Sequence, residues 1–303
     1  MVLSINKINK FYGARHVVKD VSFDIVSGRP CGLLGRNGHG KTTTMKIVMG
    51  IIYANSGEVL LDGIKLDPKQ VKLGYLPEER GLYLKISLID QMVYFGRLRG
   101  LTAARARARS LELLERLELA DVAKKRAATL SKGNQQKVQL AISLINEPDI
   151  IILDEPFTGL DPVNSRLMYN LIEENAKGDK AVLFSSHQMA QIEGLCRDIC
   201  VINHGEVQLV GELNEIKDGY PKDRLAIRAS RSHESEVAAA LATIEHKNLA
   251  QEQENFVLTL NNEDDRAKIF AAISERRLPV ESIEILRPTL LDIFLEKVGE
   301  EVE

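Results

Sequence analysis

The chain begins with stretches in which apolar and polar residues alternate. Val2–Ile8 and Val17–Ile25 follow this period-two pattern, which predicts two strands with one buried face each. A compact apolar run, Cys31–Leu34, then ends at Gly35 and is typical of a strand buried on both faces, as in a parallel sheet. The residues that follow, Thr42–Gly50, predict a helix that ends at glycine.

The middle of the chain repeats this alternation of strand and helix. Ile150–Leu153 and Ala181–Ser185 are further buried-type strands, with a helical stretch near 163–177 between them. A strand, a helix and a strand with a crossover of this length predict a parallel, right-handed βαβ unit. The other predicted elements before residue 212 are a hairpin of Glu58–Leu61 with Ile64–Leu66, a mostly helical segment at 88–118, and a closing hairpin of Ile199–Asn203 with Glu206–Val210.

The pattern restarts near residue 212, and the charge balance changes at the same place. Residues 1–211 carry 28 basic and 23 acidic side chains, whereas residues 212–303 carry 12 and 20. We therefore expect two domains with these bounds. The pattern of residues 212–303 predicts a small α+β domain. Its predicted strands are Leu225–Ala229, Phe256–Leu260 and Val280–Leu286, and its predicted helices are Ser235–Ala242, Asp265–Arg276 and Leu290–Val298.

Composition excludes several classes of protein. The 303 residues are 44% hydrophobic and 27% charged, an ordinary globular mixture, and a net charge of −3 argues against a general nucleic-acid binder. No apolar run approaches the roughly 18–20 residues that cross a bilayer, and the N-terminus lacks the apolar stretch of a signal peptide. Three cysteines in 303 residues do not make a disulfide framework, so we expect the protein to be located in the reducing cytosol. Cys196 and Cys200 are spaced as on one helix face and are expected to be buried thiols rather than a metal site.

The strongest local signal is the segment Gly35–Thr43, which matches the pattern G-x-x-x-x-G-K-[ST]. It follows a predicted strand and opens a predicted helix, so a plain glycine-rich turn is the less favoured interpretation. Its glycines let backbone N–H groups converge on phosphate oxygens, and the helix dipole favours an anion there. Lys41 is expected to reach the β- and γ-phosphates, and Thr42 to hold Mg²⁺. The predicted nucleotide-binding residues of this loop are Gly35, Asn37, Gly38, Gly40, Lys41, Thr42 and Thr43.

A second signal is a pair of adjacent carboxylates at the end of the apolar strand Ile150–Leu153. Because side chains alternate along a strand, Asp154 and Glu155 point differently and can take different roles. Asp154 is expected to orient Mg²⁺, directly or through water, and Glu155 to polarise an attacking water. An apolar run followed by Asp-Glu is a weak signal alone and becomes strong beside the loop Gly35–Thr43.

Together with three shorter segments, these two resemble the nucleotide-binding subunit of an ABC transporter. Leu130–Gln136 (LSKGNQQ) resembles the LSGGQ signature of that family, Thr158–Asp161 resembles its D-loop, and His187 after a buried strand resembles its switch histidine. Tyr12 matches the aromatic residue that stacks on adenine, although a plain core or turn aromatic is an alternative. The motifs occur in the family's order and cover roughly residues 1–211.

The resemblance implies a fold of the α/β class. It is a P-loop NTPase ABC cassette with a parallel-sheet core, an antiparallel β subdomain and a helical subdomain at about 83–130. Arg287–Phe294 resembles the closing helix of a small α+β C-terminal domain that one branch of the family often carries. The role of that domain stays open between dimer support, regulation and a simple packing lid.

The resemblance also implies which residues meet the nucleotide across a dimer. In this family the signature acts on the nucleotide of a second copy, so Ser131 and Gly133 are expected to bind its γ-phosphate. Asp161 is expected to link the two sites across the dimer. It can at the same time cap the helix that begins at Pro162.

Three residues are the predicted catalytic ones, namely Glu155, His187 and Lys41. His187 is expected to bond the γ-phosphate or to hold the water and Glu155 in place, unless it is a buried structural histidine. The implied cofactors are ATP and Mg²⁺.

The chain departs from the family pattern at three positions. In the loop Gly74–Arg80 the family usually has glutamine where this chain has Glu78. That glutamate can still accept a hydrogen bond from Mg²⁺-bound water, so we count it among the predicted nucleotide and metal ligands. Lys132 and Asn134 replace the first glycine and the glutamine of the signature, and these changes leave the hydrolysis rate open.

The implied function is the ATP-binding and ATP-hydrolysing subunit of an ABC exporter, which powers a separate transmembrane permease through closure of a dimer. The motifs resemble the branch that serves drug, polysaccharide and sodium-efflux exporters, with the sodium-efflux section favoured. Such a subunit is cytoplasmic and peripheral on the inner face of the cell membrane, which it contacts through its permease, and no nucleic-acid partner is expected. The segment 83–130, with Tyr83 and Phe95, is expected to form most of the docking surface. The alternatives are a soluble ATP-dependent clamp and a nucleotide-binding regulator with little turnover.

Overall fold

The computed structural model describes residues 1–79, 81–252 and 254–299, so that Arg80 of the loop Gly74–Arg80, Gln253 and the last four residues lie outside it. Two compact units divide the chain. The first is Met1–Leu213 together with the residues from Glu296 onward, and the second is Asn214–Leu295.

The first unit contains two sheets and the helices that connect their strands. Its strands are β1 (Val2–Tyr12), β2 (Arg15–Val26), β3 (Cys31–Leu34), β4 (Ser56–Leu61), β5 (Ile64–Lys65), β6 (Leu73–Leu76), β7 (Ile150–Asp154), β8 (Ala181–Ser185), β9 (Asp198–Asn203) and β10 (Glu206–Glu212). Its helices are α1 (Lys41–Val48), α2 (Leu88–Leu98), α3 (Ala103–Arg116), α4 (Lys132–Leu144), α5 (Pro162–Asn175) and α6 (Met189–Leu195), and α7 (Leu213–Asp218) follows at the boundary.

The smaller sheet is antiparallel, with the strand order β2-β1-β4-β5. Alternate residues of β1 and β2 are buried, as the period-two pattern predicted. Both strands run further than predicted, so Tyr12 ends β1 instead of lying in the turn after it.

The larger sheet has the strand order β10-β9-β3-β8-β7-β6. Strands β9, β3, β8, β7 and β6 are parallel to their neighbours, and only β10 pairs antiparallel within this sheet. The carboxyl ends of parallel strands meet at one edge of a sheet, where α/β proteins bind their ligands. The segments after β3, β7 and β8, which carry the predicted site residues, therefore leave the sheet at the same edge.

One apolar cluster joins the two sheets and α1. It includes Leu3 and Ile25 from the antiparallel sheet, Leu33 and Ile152 from the parallel sheet, and Met45 from α1. Each of these side chains is fully buried, and full burial of such a side chain contributes about 1.5–3 kcal/mol. This cluster fixes the start of α1, and with it the end of the preceding loop, against β3.

Helices α2, α3 and α4 pack on one another and form the helical part of the first unit. Ser87 and Thr102 cap α2 and α3 by accepting the N–H groups of Asp90 and Arg105. Two single 3₁₀ turns, Ala120–Val122 and Ala127–Thr129, lead from α3 to α4.

The second unit is a four-stranded antiparallel sheet with two helices between its strands. Its elements are β11 (Arg224–Ala229), α8 (Glu234–Ala242), β12 (Asn248–Glu252), β13 (Asn255–Thr259), α9 (Arg266–Glu275) and β14 (Val280–Leu286), and α10 (Leu290–Val298) follows. The strand order is β12-β13-β11-β14, which with this βαββαβ sequence is the ferredoxin-like arrangement. The fully buried Leu225, Val237, Leu258 and Ile269 lie in its core.

Three sequence-based expectations are wrong in detail. The loop Gly74–Arg80 begins inside strand β6, which pairs with β7 at the edge of the parallel sheet. β12 was not predicted at all. Cys196 and Cys200 do not share a helix, because α6 ends at Leu195 and Cys200 lies on β9, although all three cysteines are free and buried as expected. Across the described ranges, no helix combines the length and the apolar composition that would let it cross a membrane.

Candidate functional site

The predicted phosphate loop connects β3 to α1 and ends at Gly40, which caps that helix. The φ angle of Gly40 is 105°, a left-handed conformation, and a Cβ there would lie 2.9 Å from the carbonyl oxygen of Val17. Only glycine fits this position without displacing β2. The loop is therefore held close to β2, and the first N–H groups of α1 lack carbonyl partners within the helix.

Lys41, the first residue of α1, turns back over the loop. Its Nζ donates to the carbonyl oxygens of Gly35 at 2.7 Å and Arg36 at 3.1 Å. Burial lowers the pKa of Lys41, and the nearby carboxylates of Glu155, Asp154 and Glu78 act in the opposite direction. A cation is thus fixed between the loop and a set of acidic side chains.

A cavity of about 300 Å³ lies between the loop and the ends of the parallel strands. Nine of the predicted site residues line it. They are Asn37, Gly38, Gly40, Lys41, Thr42, Thr43, Glu78, Asp154 and Glu155. Val17 of β2 also lines the cavity and was not identified from the sequence.

Asp154 and Glu155 each present one buried oxygen atom that lacks a hydrogen-bond partner among the described residues. Oδ1 of Asp154 accepts the hydroxyl of Ser185 at 2.7 Å. Within the described part of the chain, no hydrogen-bond donor reaches Oδ2 of Asp154 or Oε1 of Glu155. An unsatisfied buried acceptor is costly, so both atoms indicate a ligand, a metal ion or water that the site is built to hold.

Ser185 was missed as a site residue, and it joins the two acidic residues. Its Oγ accepts the backbone N–H of Glu155 at 3.1 Å while it donates to Asp154. Glu155 has a φ of 50°, a left-handed conformation that is uncommon outside glycine. Ser185 therefore fixes the backbone of one acidic residue and the side chain of the other. The one available signal was a polar residue at the end of a fully apolar strand.

His187 follows β8 and is paired with Glu155. Its Nδ1 lies 2.7 Å from Oε2 of Glu155. Its ring does not line the cavity directly, so the contact with Glu155 is its connection to the site. Ser186 bonds to Gln191 and to the backbone N–H of Gln188, which fixes the turn that carries His187.

Tyr12, Gly35, Ser131, Gly133 and Asp161 do not line this cavity. Tyr12 is 51% exposed, and Nζ of Lys10 lies 5.3 Å from the centre of its ring. Ser131 caps α4 by accepting the N–H of Asn134 at 3.2 Å. Asp161 caps α5 in the same way, with the N–H of Asn164 at 2.9 Å, and this hydrogen bond lowers its pKa.

Glu78 lines the cavity with an exposed side chain, just after β6. Nearby on β6 the hydroxyl of Tyr75 is buried and finds no hydrogen-bond partner among the described residues. Burial raises the pKa of Tyr75, and the charges of Asp154 and Glu78 raise it further. This hydroxyl stays protonated and is a further donor beside the acidic residues.

The geometry agrees with comparisons to known proteins. Residues 18–158 match the family model of the ABC transporter, and residues 211–298 match that of the C-terminal domain of DrrA1-3-like ATP-binding proteins. An uncharacterized ABC transporter ATP-binding protein of Alkalihalophilus pseudofirmus is 40% identical over 268 residues, which cover 88% of this chain and 98% of that protein. The chain belongs to the ABC transporter ATP-binding proteins.

Further similar proteins include an export protein and a solved cassette. The Nod factor export ATP-binding protein I of Paraburkholderia xenovorans is 35% identical over 207 residues, which cover 67% of this chain and 68% of that protein. A dimeric structure of a post-hydrolysis state of the ATP-binding cassette MJ0796, bound to ADP and Pi, matches with a TM-score of 0.64. It is 25% identical and covers 70% of this chain and 98% of its own. The parallel-sheet core with its antiparallel sheet is thus an ABC cassette fold.

Proposed function

We propose that this chain binds and hydrolyses ATP as the energising subunit of an ABC exporter, with a separate transmembrane permease as its partner. The observation that carries the proposal is the single cavity in which the phosphate loop meets Asp154 and Glu155. A fixed lysine, free helix N–H groups and buried acceptors at one place suit a metal-bound triphosphate.

The proposed division of labour follows from the contacts at each residue. Lys41 and the loop N–H groups bind phosphate oxygens, and Tyr12 stacks on the adenine base. Glu155 accepts a proton from the water that attacks the γ-phosphorus, while the bond to the ADP oxygen breaks. His187 holds the Glu155 carboxylate in place through its 2.7 Å hydrogen bond.

The residues at the cavity also fit a magnesium ion. Thr42 and Asp154 would supply a hydroxyl and a carboxylate, the oxygen ligands that Mg²⁺ takes in nucleotide sites, and Glu78 lines the same cavity and could accept a hydrogen bond from a metal-bound water. Oδ2 of Asp154 is buried and without a described protein partner, which suits this use. When bound, Mg²⁺ neutralises charge on the phosphates.

Two copies of the chain are proposed to close around two ATP molecules. Ser131, Gly133 and Asp161 lie away from the cavity of their own chain, and Ser131 and Asp161 are exposed. Both flank helix starts, where N–H groups favour phosphate. The dimeric cassette with ADP and Pi supports a second copy as the source of these contacts.

The permease is proposed to dock on the helical part of the first unit. Tyr83 is 47% exposed and stacks on Phe95, with ring centres 5.8 Å apart, and Tyr94 lies edge-on beside both. Exposed aromatic clusters are typical of protein interfaces. Docking there would place the chain on the cytoplasmic face of the membrane, as a peripheral subunit.

The exporter assignment rests on relatives and not on the site itself. The similarity to a Nod factor export protein supports export. Among exporters, we favour the sodium-efflux type. The acidic second unit is proposed to support the dimer or to regulate it.

The decisive experiment measures phosphate release by the purified chain, alone and reconstituted with the membrane protein that co-purifies with it. We expect ATP hydrolysis that the permease increases, and the chain to co-purify with detergent-extracted membranes. A rate of zero in both states would favour a nucleotide-binding regulator, and recovery with ribosomes would favour a soluble clamp. Either result would overturn the proposal.

A further inference from the structure

A histidine stands inside the phosphate loop and pairs with a second histidine outside it. His39 precedes Gly40, yet it is not among the residues that line the cavity. Its ring packs against the ring of His204, with centres 4.4 Å apart and planes tilted by 31°. The backbone N–H of His204 donates to Nδ1 of His39 at 3.3 Å. The side chain of His39 thus connects the far side of the loop to another element.

That element is the tight turn between β9 and β10, which is itself fixed. Gly205 has a φ of 84°, and a Cβ on it would lie 2.4 Å from the carbonyl oxygen of Val17. The N–H of Lys19 donates to the carbonyl of Gly205 at 2.8 Å. Gly40 approaches the same Val17 carbonyl from the loop side. The phosphate loop therefore packs against both the turn and β2, and the side chain of His39 connects the loop to the turn.

The surroundings of His39 favour a neutral ring. Partial burial lowers its pKa below the ordinary 6.5, and the charges of His204 on the turn and of Arg36 and Lys41 on the loop lower it further. The side chain of Asn203 acts in the opposite direction. Oδ1 of Asn203 is buried and lacks a hydrogen-bond partner in the part of the chain that the structure describes.

The two protonation states of His39 make different contacts. A neutral ring with the proton on Nε2 can accept the N–H of His204 at Nδ1. A protonated ring carries hydrogen on both nitrogens, so it loses this bond. It also places a positive charge beside two loop cations. The protonated ring can donate to the side chain of Asn203, which favours the charged form.

We propose that His39 is a positioning residue of the nucleotide site. In its neutral form it holds the phosphate loop against the turn at 203–205, and its protonation releases the loop and weakens ATP binding. The inference rests on the proposed use of this cavity for ATP. It makes nucleotide affinity sensitive to acidification through a residue that does not touch the nucleotide.

The test compares ATP affinity at pH 7.5 and pH 5.5 for the full chain and two variants, by displacement of a fluorescent ATP analogue. His39→Gln keeps an oxygen that can accept the His204 N–H but does not titrate, and His39→Ala removes the contact. One neutral hydrogen bond corresponds to about a fivefold change in an equilibrium constant. Between pH 7.5 and pH 5.5 we expect the ATP affinity of the wild type to fall by about fivefold more than that of His39→Gln. At pH 7.5 we expect His39→Ala to bind ATP about fivefold more weakly than the wild type.

ATP itself also gains protons between pH 7.5 and pH 5.5, but this affects the measured affinity of every variant equally. It therefore cancels when the variants are compared. His204→Ala is the matched control, because it keeps the backbone N–H that donates to His39. Its ATP affinity should therefore still fall on acidification as that of the wild type does. If the ATP affinities of the wild type and His39→Gln depend equally on pH, the inference is overturned. It is also overturned if acidification weakens ATP binding less in the wild type than in His39→Gln. Absence of ATP binding by the wild type at pH 7.5 would instead contradict the proposed nucleotide site.

A second readout does not depend on ATP. Histidine ring signals of the folded wild type, assigned by their loss in His39→Gln, should titrate below pH 6.5 for His39. A titration midpoint at or above pH 6.5 would contradict the proposal that neutral His39 holds the phosphate loop against the turn at 203–205.

Discussion

Nδ1 of His187 lies 2.7 Å from Oε2 of Glu155, so that an imidazole covers one oxygen of a buried carboxylate. The side chain of Glu155 is 8% exposed and that of His187 is 58% exposed. The histidine therefore holds the carboxylate from the solvent side, while the other oxygen, Oε1, has no protein partner within the described ranges. The pair leaves one basic oxygen of Glu155 available to accept a hydrogen bond.

Replacement of the histidine should separate hydrolysis from binding. In His187→Ala the Glu155 carboxylate loses the partner that fixes its orientation, but the phosphate loop is untouched. We expect ATP binding to change by less than about twofold and phosphate release to fall by about a hundredfold, the lower end for a group that assists proton transfer. His233→Ala, an exposed histidine of the second unit, is the control and should change neither. A His187→Ala rate equal to the wild type would show that the pair does not act in catalysis.

Ser185 should matter for stability as well as for turnover. Ser185→Ala leaves the buried N–H of Glu155 and Oδ1 of Asp154 without their partner. We expect the free energy of unfolding of the first unit to fall by about 1–3 kcal/mol, measured by urea denaturation, and phosphate release to fall with it.

The matched control is Ser143→Ala, also a fully buried serine. Its hydroxyl bonds to the carbonyl of Leu140 within α4 and leaves no donor or acceptor of the site unpaired. Equal effects of Ser185→Ala and Ser143→Ala on hydrolysis would contradict the positioning role of Ser185.

The three cysteines should be unreactive in the folded protein. Burial raises the pKa of Cys31, Cys196 and Cys200, so the reactive thiolate is not populated near pH 8 and reagents cannot reach the sulfur atoms. A colorimetric thiol assay should detect no thiol in native protein and all three after unfolding in guanidinium. Rapid labelling of any of them in the native state would contradict the buried packing of β3 and β9.

The sequence predicted the elements that have a one-sided or fully apolar pattern. Cys31–Leu34 and Ala181–Ser185 are strands at the predicted positions, because burial on both faces leaves a continuous apolar run in the sequence. Val280–Leu286 is also a strand at its predicted position, although its residues are half-buried or exposed. Strand β6 (LGYL) is four residues long and alternates between half-buried and buried positions, so it is neither a fully buried run nor a long alternating one. β12 (NLAQE) is a largely polar edge strand and carries no apolar signature.

The candidate site was predictable where its residues lie in one motif. The phosphate loop and the Asp154-Glu155 pair are both contiguous in sequence. The contacts of Ser185 with Asp154 and of His204 with His39 join residues that are 31 and 165 positions apart. They depend on the order β9-β3-β8-β7 of the parallel strands, which local patterns do not specify. Single-sequence reasoning can place such residues on strands and turns but cannot pair them.

Glu155 is proposed to drive hydrolysis in a site closed by two copies of the chain. The most direct measurement is light scattering of Glu155→Gln with ATP and with ADP, together with phosphate release. Glutamine keeps the shape of the side chain and removes its basicity, and the exposed Glu173→Gln is the control. We expect Glu155→Gln to bind ATP, release almost no phosphate and form a stable dimer with ATP but not with ADP. A variant that hydrolyses ATP at the wild-type rate, or that stays monomeric with bound ATP, would contradict the account.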